Sequence, residues 1–197
     1  FAETIDNIKN ILEVSTATTQ LPIGQDSDFS GIVDLIQMKS SLKPNGRDAH
    51  PESDIPTDMA DAVEETREEL IEVAAESDDG LIEKYFEEGE LSSEEIQLGI
   101  QNAFRSKARI VPILCGSALE NIGVQNLMDF VVECFPSPED AGIIESEDGG
   151  MTRDAGISSP MSALVFKTLA DPFAGRLTLF RVYSGVLIGD SQIFNSA

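Results

Sequence analysis

The chain has little that is basic. Of its 197 residues 13 are Lys or Arg against 36 Asp or Glu, a formal net charge of −23 at pH 7. A chain so acidic repels phosphate, which argues against a direct grip on nucleic acid by this stretch. Histidine occurs once, as His50 in a turn-rich segment. With no second ligand-type partner beside it, it reads as a solvent-facing loop residue and not a catalyst. The two cysteines, Cys115 and Cys134, have neither metal-ligand spacing nor the partners of a disulfide framework, which points to reduced cytosolic thiols. No apolar run approaches the roughly 18 to 20 residues that span a bilayer, and Phe1 opens a polar helical segment unlike a signal peptide. The first residue is not Met, which suits a piece excised from a longer chain. What the chain does have is an apolar fraction of 41%, enough to bury a core in one large domain or two small ones.

Half of the acidic residues lie between Glu52 and Leu98, where only Arg67 and Lys84 oppose them. Helical patterns dominate there. Pro56 to Ser77 predicts a long helix with Thr57 as cap and Met59, Val63, Leu70, Ile71 and Ala74 as its buried stripe. Leu81 to Phe86 predicts a short helix. Ser92-Ser93-Glu94-Glu95 predicts a capping box, in which Ser92 accepts from the Glu95 N–H while the Glu95 carboxylate reaches back; the helix behind it buries Ile96, Ile100, Ala103 and Phe104. Acidic first turns complement the helix dipole, so part of the charge is structural. Upstream, Phe1 to Val14 carries Ile5, Ile8, Ile11 and Leu12 at helical spacing and should lay one face on a sheet. Between Thr16 and Lys43 the pattern turns β-branched and alternating, for two or three short strands; Lys43 to Ile55 reads as a loop. Asp140 to Pro160 is polar and aperiodic, an interdomain linker. Beyond it Met161 to Ala170, Leu177 to Val182 and Ser191 to Phe194 alternate as strands, too few to close a barrel.

Residues 110 to 127, IVPILCGSALENIGVQNL, are the most informative stretch. Ile110 to Leu114 has the branched composition of a buried strand in a mainly parallel sheet, with Pro112 tolerable only near its start. Cys115-Gly116-Ser117-Ala118 leaves the sheet at its carboxyl edge, where open α/β sheets bind ligands, and its small residues let backbone N–H groups approach one. Asn121-Ile122-Gly123 then turns into a helix with Val124, Leu127, Met128, Val131, Val132 and Phe135 at apolar spacing. On spacing alone an ordinary strand-to-helix turn and a ligand loop fit equally well.

The stretch IVPILCGSALENIGVQNLMDFVVECFPSP resembles the end of the GTPase domain of the translation elongation factor G (EF-G) family, whose Ser-Ala pair is the fifth guanine-nucleotide motif. LPIG at Leu21 to Gly24 and FSGIVDLIQMK at Phe29 to Lys39 resemble the opening of the family's inserted subdomain. PFAGRLTLFRVYSGVLIGD at Pro172 to Asp190 resembles the start of its second, β-barrel domain. The resemblance implies an α/β GTPase remainder with an inserted α+β subdomain, followed by the beginning of an all-β barrel. Residues 1–15 would be a helix of the GTPase domain, 16–108 the inserted subdomain, 109–138 the GTPase domain's last strand, guanine loop and helix, 139–160 the linker and 161–197 the barrel start. It also implies that the Ala118 N–H faces the guanine carbonyl oxygen, with Ser117 shaping the turn and Leu119 packing behind.

A GTPase needs a GxxxxGK[ST] phosphate loop and a magnesium-holding hydroxyl, and this chain has neither; the base-selecting N-K-x-D motif is absent too. Asp28-Phe29-Ser30-Gly31 matches a bare D-x-x-G but falls inside the insertion-like stretch and reads as coincidence. The resemblance therefore implies a parent that binds GTP or GDP with magnesium, hydrolyses GTP during ribosomal translocation and works in the cytoplasm. This stretch alone would carry no metal site, no catalytic residue and no bound nucleotide. A ribosome-recycling paralogue fits as well, because the linker AGIIESEDGGMTRDAG departs from the family's short Pro-rich joint. An interaction module is the alternative from another class: the acidic helices, with Glu64, Glu65, Glu68, Glu72 and Glu76 on one face, would bind a basic partner. In the family the inserted subdomain meets the ribosomal stalk protein, so the two readings are compatible.

Overall fold

Apolar residues at helical spacing and branched residues in short runs alternate along the first two thirds of the chain, and they fold as a mixed α/β unit. The computed structural model describes residues 1–44, 51–105, 110–140, 142–146 and 149–195. It divides into two units, Phe1–Phe135 and Pro136–Ala197.

In the first unit, helix α1 (Ala2–Leu12) is followed by strand β1 (Ser15–Thr18), which pairs in parallel with β6 (Ile110–Ile113), Ser15 opposite Ile110 and Thr18 opposite Ile113. Pro112 lies third in β6, not at its start. Ile113 turns its carbonyl towards Thr19, so the alternating backbone of Pro112 faces the other edge, where no described strand needs its missing N–H. The expectation that α1 lays a full face on a sheet is corrected: Ile5 and Ile8 are half-buried, while Ile11 and Leu12 stay exposed. A sheet of two strands is too narrow to cover them.

The chain steps out of β1 at Thr19 into an antiparallel sheet of order β2-β3-β4-β5: β2 (Gln20–Ile23), β3 (Gly31–Asp34), β4 (Lys39–Leu42) and β5 (Glu52–Ser53). Four strands thus begin between Ser15 and Lys39, where the pattern suggested two or three. The short β5 falls within the segment read as a loop; His50 lies outside the described residues.

Helix α2 (Ala60–Ala75) buries Val63, Leu70, Ile71 and Ala74 as the stripe predicts, and Ala75 besides, whereas Met59, expected in the stripe, precedes the helix and is half-buried. Thr57 does not cap it: it opens a 3-10 turn (Thr57–Met59) and its side chain makes no capping bond. Helix α3 (Asp79–Glu88) is capped by Asp78, which accepts from the N–H of Gly80 and Leu81. At the start of α4 (Ser93–Arg105) both halves of the capping box form: the Ser92 N–H donates to the Glu95 carboxylate at 2.8 Å, and the Glu95 N–H to Ser92 Oγ at 3.3 Å. Helices α2 and α4 cross closely at Gly99, where a Cβ would lie 2.5 Å from the Ala74 carbonyl oxygen. These helices and the β3–β4 turn enclose the core of Val33, Leu35, Ile36, Leu70, Ile96 and Ile100.

Helix α5 (Val124–Cys134) departs from expectation. Phe130 and Cys134 are its buried residues, whereas Leu127, Met128, Val131 and Val132 are exposed. Its covered side is fixed by α4: Gln97 Nε2 donates to the Glu133 carboxylate at 2.8 Å, and Phe104 stacks on Phe135 at 4.8 Å.

In the second unit β7 (Ile143–Glu145) and β8 (Thr152–Asp154) pair as a small hairpin where a linker was expected. Ser146 supplies the closure, its N–H donating to the Met151 carbonyl at 2.9 Å and its Oγ accepting from the Met151 N–H. Strands β9 (Ser162–Asp171) and β10 (Gly175–Ser184) form a long antiparallel hairpin. Its turn is held by the Asp171 carboxylate, which accepts from the N–H of Phe173 and Ala174 and is thereby kept below its ordinary pKa. The third strand expected at Ser191 to Phe194 does not form. A strand exists by pairing, and β10 pairs only with β9 among the described residues.

Candidate functional site

The loop after β6 is a closed turn built from small residues. The Ser117 N–H donates to the Ile122 carbonyl at 2.9 Å and the Ile122 N–H returns a bond to the Ser117 carbonyl at 3.0 Å. Ser117 Oγ accepts from the Glu120 N–H at 3.3 Å, so one serine shapes the turn through both backbone and side chain. Beneath it Ile122, 1% exposed, plugs the core. Gly123 leads into α5 with φ +73°, and a Cβ there would lie 2.7 Å from the Cys115 carbonyl oxygen. A Cβ on Gly116 would lie equally close, 2.7 Å, to the Ile122 carbonyl oxygen. Two glycines therefore let the two arms of the turn touch.

The N–H groups of Ser117, Glu120 and Ile122 are consumed in closing the turn on itself. The Ala118 N–H donates to no acceptor among the described residues, and Ala118 is exposed. An unspent donor on a rigid turn at the carboxyl end of a parallel strand is suited to a carbonyl oxygen of a ligand. Leu119 is a correction: it does not pack behind the turn but is 99% exposed, because Ile122 already fills the space beneath.

The turn is also tied to the antiparallel sheet. The Thr19 N–H and Thr19 Oγ both donate to the Ile113 carbonyl at 3.0 Å, and the next residue, Gln20, accepts from the Cys115 N–H through Oε1 at 3.2 Å. Lys43 pairs with Glu120. Sequence reasoning missed Thr19 and Gln20; the one available signal was an amide side chain inside a run otherwise fit for burial. Burial pushes the Cys115 thiol up to about 12, so it is a packing group and not a nucleophile at neutral pH.

The second candidate surface lies on α2. Glu64, Glu65, Glu68, Glu72 and Glu76 are all exposed and make no ion pair among the described residues. The cation on that helix points elsewhere: Arg67 Nη1 donates to the carbonyls of Leu35 and Ile36, and burial lowers the guanidinium pKa from its ordinary value. Lys84 is likewise taken up, 2.7 Å from Glu95 and 3.5 Å from Glu88. The carboxylate band is left uncompensated.

A protein of solved crystal structure from Thermus thermophilus is similar to this chain, with 27% identity and a TM-score of 0.73 over 93% of this chain. The matched region is 25% of that protein, so the chain spans about a quarter of its length. No family model matches the chain. Among the described residues no helix is long and apolar enough to cross a membrane.

Proposed function

We propose that the chain is part of a translational GTPase of the EF-G kind, in which the Cys115–Gly123 turn contacts the guanine base through the Ala118 N–H. The observation that carries the reading is that donor: exposed, unspent and held on a closed turn at the carboxyl end of β6. The likeness over 93% of the chain to a protein about four times as long supports a part-of-a-whole reading. The residues fit the base only. Phosphate and magnesium need a P-loop that this sequence lacks, so GTP or GDP binding and hydrolysis belong to the complete protein, in the cytoplasm and on the ribosome. Calorimetry with GDP on the complete protein tests this. Ala118→Val should weaken GDP about tenfold, because a branched side chain pushes the turn off the base and leaves a polar group unpaired at about 1 to 3 kcal/mol. Unchanged affinity would make the turn purely structural.

The exposed glutamate band favours a second, compatible role. In it α2 meets a basic partner, the ribosomal stalk protein in the first instance, by electrostatic steering.

A further inference from the structure

We propose that Gln20 is a positioning residue for the guanine turn, its side-chain carbonyl on β2 holding the Cys115 N–H and so setting the direction of the Ala118 N–H. The inference rests on the guanine reading above. Gln20 is 2% exposed, and its Oε1 sits 3.2 Å from the Cys115 nitrogen, just past the end of β6. Thr19 beside it holds the last strand carbonyl, that of Ile113, with two donors at 3.0 Å. Two consecutive residues at the step from β1 into β2 thus grip two groups that flank the strand-to-loop transition. Only Gly116 separates Cys115 from Ser117, and its backbone lies close against the other arm of the turn: a Cβ on Gly116 would be 2.7 Å from the Ile122 carbonyl oxygen. A rotation of the Cys115 peptide would carry Ser117 and Ala118 with it. Without the Gln20 acceptor the Cys115 N–H, on a half-buried residue, would have to turn to find another partner.

The test uses the complete protein and two variants. Gln20→Met removes the acceptor at nearly constant side-chain length, and Gln20→Glu retains one. The readout is the ratio of affinities for GDP and for 2-aminopurine riboside diphosphate, which lacks the 6-oxygen that the Ala118 N–H would face. Gln20→Met is expected to weaken GDP about tenfold with the analogue unchanged, and Gln20→Glu to restore the ratio. Equal weakening of both nucleotides, or of neither, overturns the positioning role. Amide exchange of Cys115 in the same protein reports the grip itself: it should quicken in Gln20→Met, and an unchanged rate also overturns the proposal. If the unaltered protein already binds both nucleotides equally, the guanine reading has failed, and the exchange rate shows separately whether the grip is real.

Discussion

Placing a methyl group on Gly123 should open the candidate turn, and Gly89 offers an internal control. Both glycines have the left-handed backbone, φ +73° and φ +78°. Alanine at either position costs about 1 to 2 kcal/mol for that conformation. At Gly89, the residue ending α3, a Cβ meets nothing within 4 Å, so the conformational cost stands alone. At Gly123 it would lie 2.7 Å from the Cys115 carbonyl oxygen and 3.4 Å from the Gly116 Cα, both backbone atoms that cannot rotate aside. Overpacking of that sort adds about 1 to 3 kcal/mol. Relief by opening the turn gives up the paired Ser117 and Ile122 backbone bonds, each worth about 0.5 to 1.5 kcal/mol, which bounds the penalty similarly. Gly123→Ala should therefore cost about 2 to 5 kcal/mol, and Gly89→Ala about 1 to 2. Urea titrations of both variants, followed by far-ultraviolet dichroism with unchanged m-values, measure the difference. Equal penalties would refute the close apposition of the two arms.

Three further outcomes are expected. The Lys84 ammonium, followed by the Ser92 N–H, holds the Glu95 carboxyl at about 2 against an ordinary 4.5, so its contribution is full above about 4.5 and fades as pH falls towards 2. Melting temperatures of Glu95→Gln and the unaltered chain should differ at pH 6 and converge at pH 2; a constant gap would refute the assignment. Cys115, pushed up to about 12, should react with iodoacetamide at pH 8 roughly a thousandfold more slowly than an ordinary thiol, with the rate still rising at pH 10. Changing Glu64, Glu68 and Glu72 to glutamine should slow association with ribosomes at low salt and leave the high-salt rate alone, measured by stopped flow; equal low-salt rates would mean the band is only a solvated face.

Local rules made the helical part of the first unit legible. The α2 stripe and the α4 capping box are set by side chains a few residues apart, and both formed as the spacing dictates. The misses come where distant partners decide. Leu127, Met128, Val131 and Val132 have the periodicity of a buried stripe, but periodicity states which side is apolar, not whether anything covers it. Ile11 and Leu12 of α1 fail for the same reason. Ser191 to Phe194 alternates like a strand and lacks a partner strand among the described residues, while Asp140 to Pro160 shows no alternation and still forms β7 and β8 through the Ser146 closure. At the candidate site, the Gly-Ser-Ala composition pointed to a tight turn. Gln20 and Thr19, almost a hundred residues upstream, are joined to it only by the fold, and no local spacing connects them.

The charge distribution separates what the fold requires from what it tolerates. Asp34 is used: it accepts from the N–H of Ile36 and Gln37 at 2.9 Å and faces Arg67, although burial raises its pKa above the ordinary 3.8. Arg67 in turn closes the carbonyls of Leu35 and Ile36, and Lys84 joins α3 to the cap of α4. Each cation within the acidic half thus solves a local structural need, and each does so away from the Glu64–Glu76 face. That face receives no compensation among the described residues, and its i, i+4 repulsions cost a few tenths of a kcal/mol per pair. Exchanging a single glutamate there for lysine would remove such a cost without touching the core stripe of Val63, Leu70 and Ala74 on the opposite side. The fold therefore gives no reason for the band, and the proposed basic partner is the reading that salt-dependent binding would test. Because such a partner would be steered by long-range field more than held by contacts, ionic strength is the variable that distinguishes recognition from mere solubility.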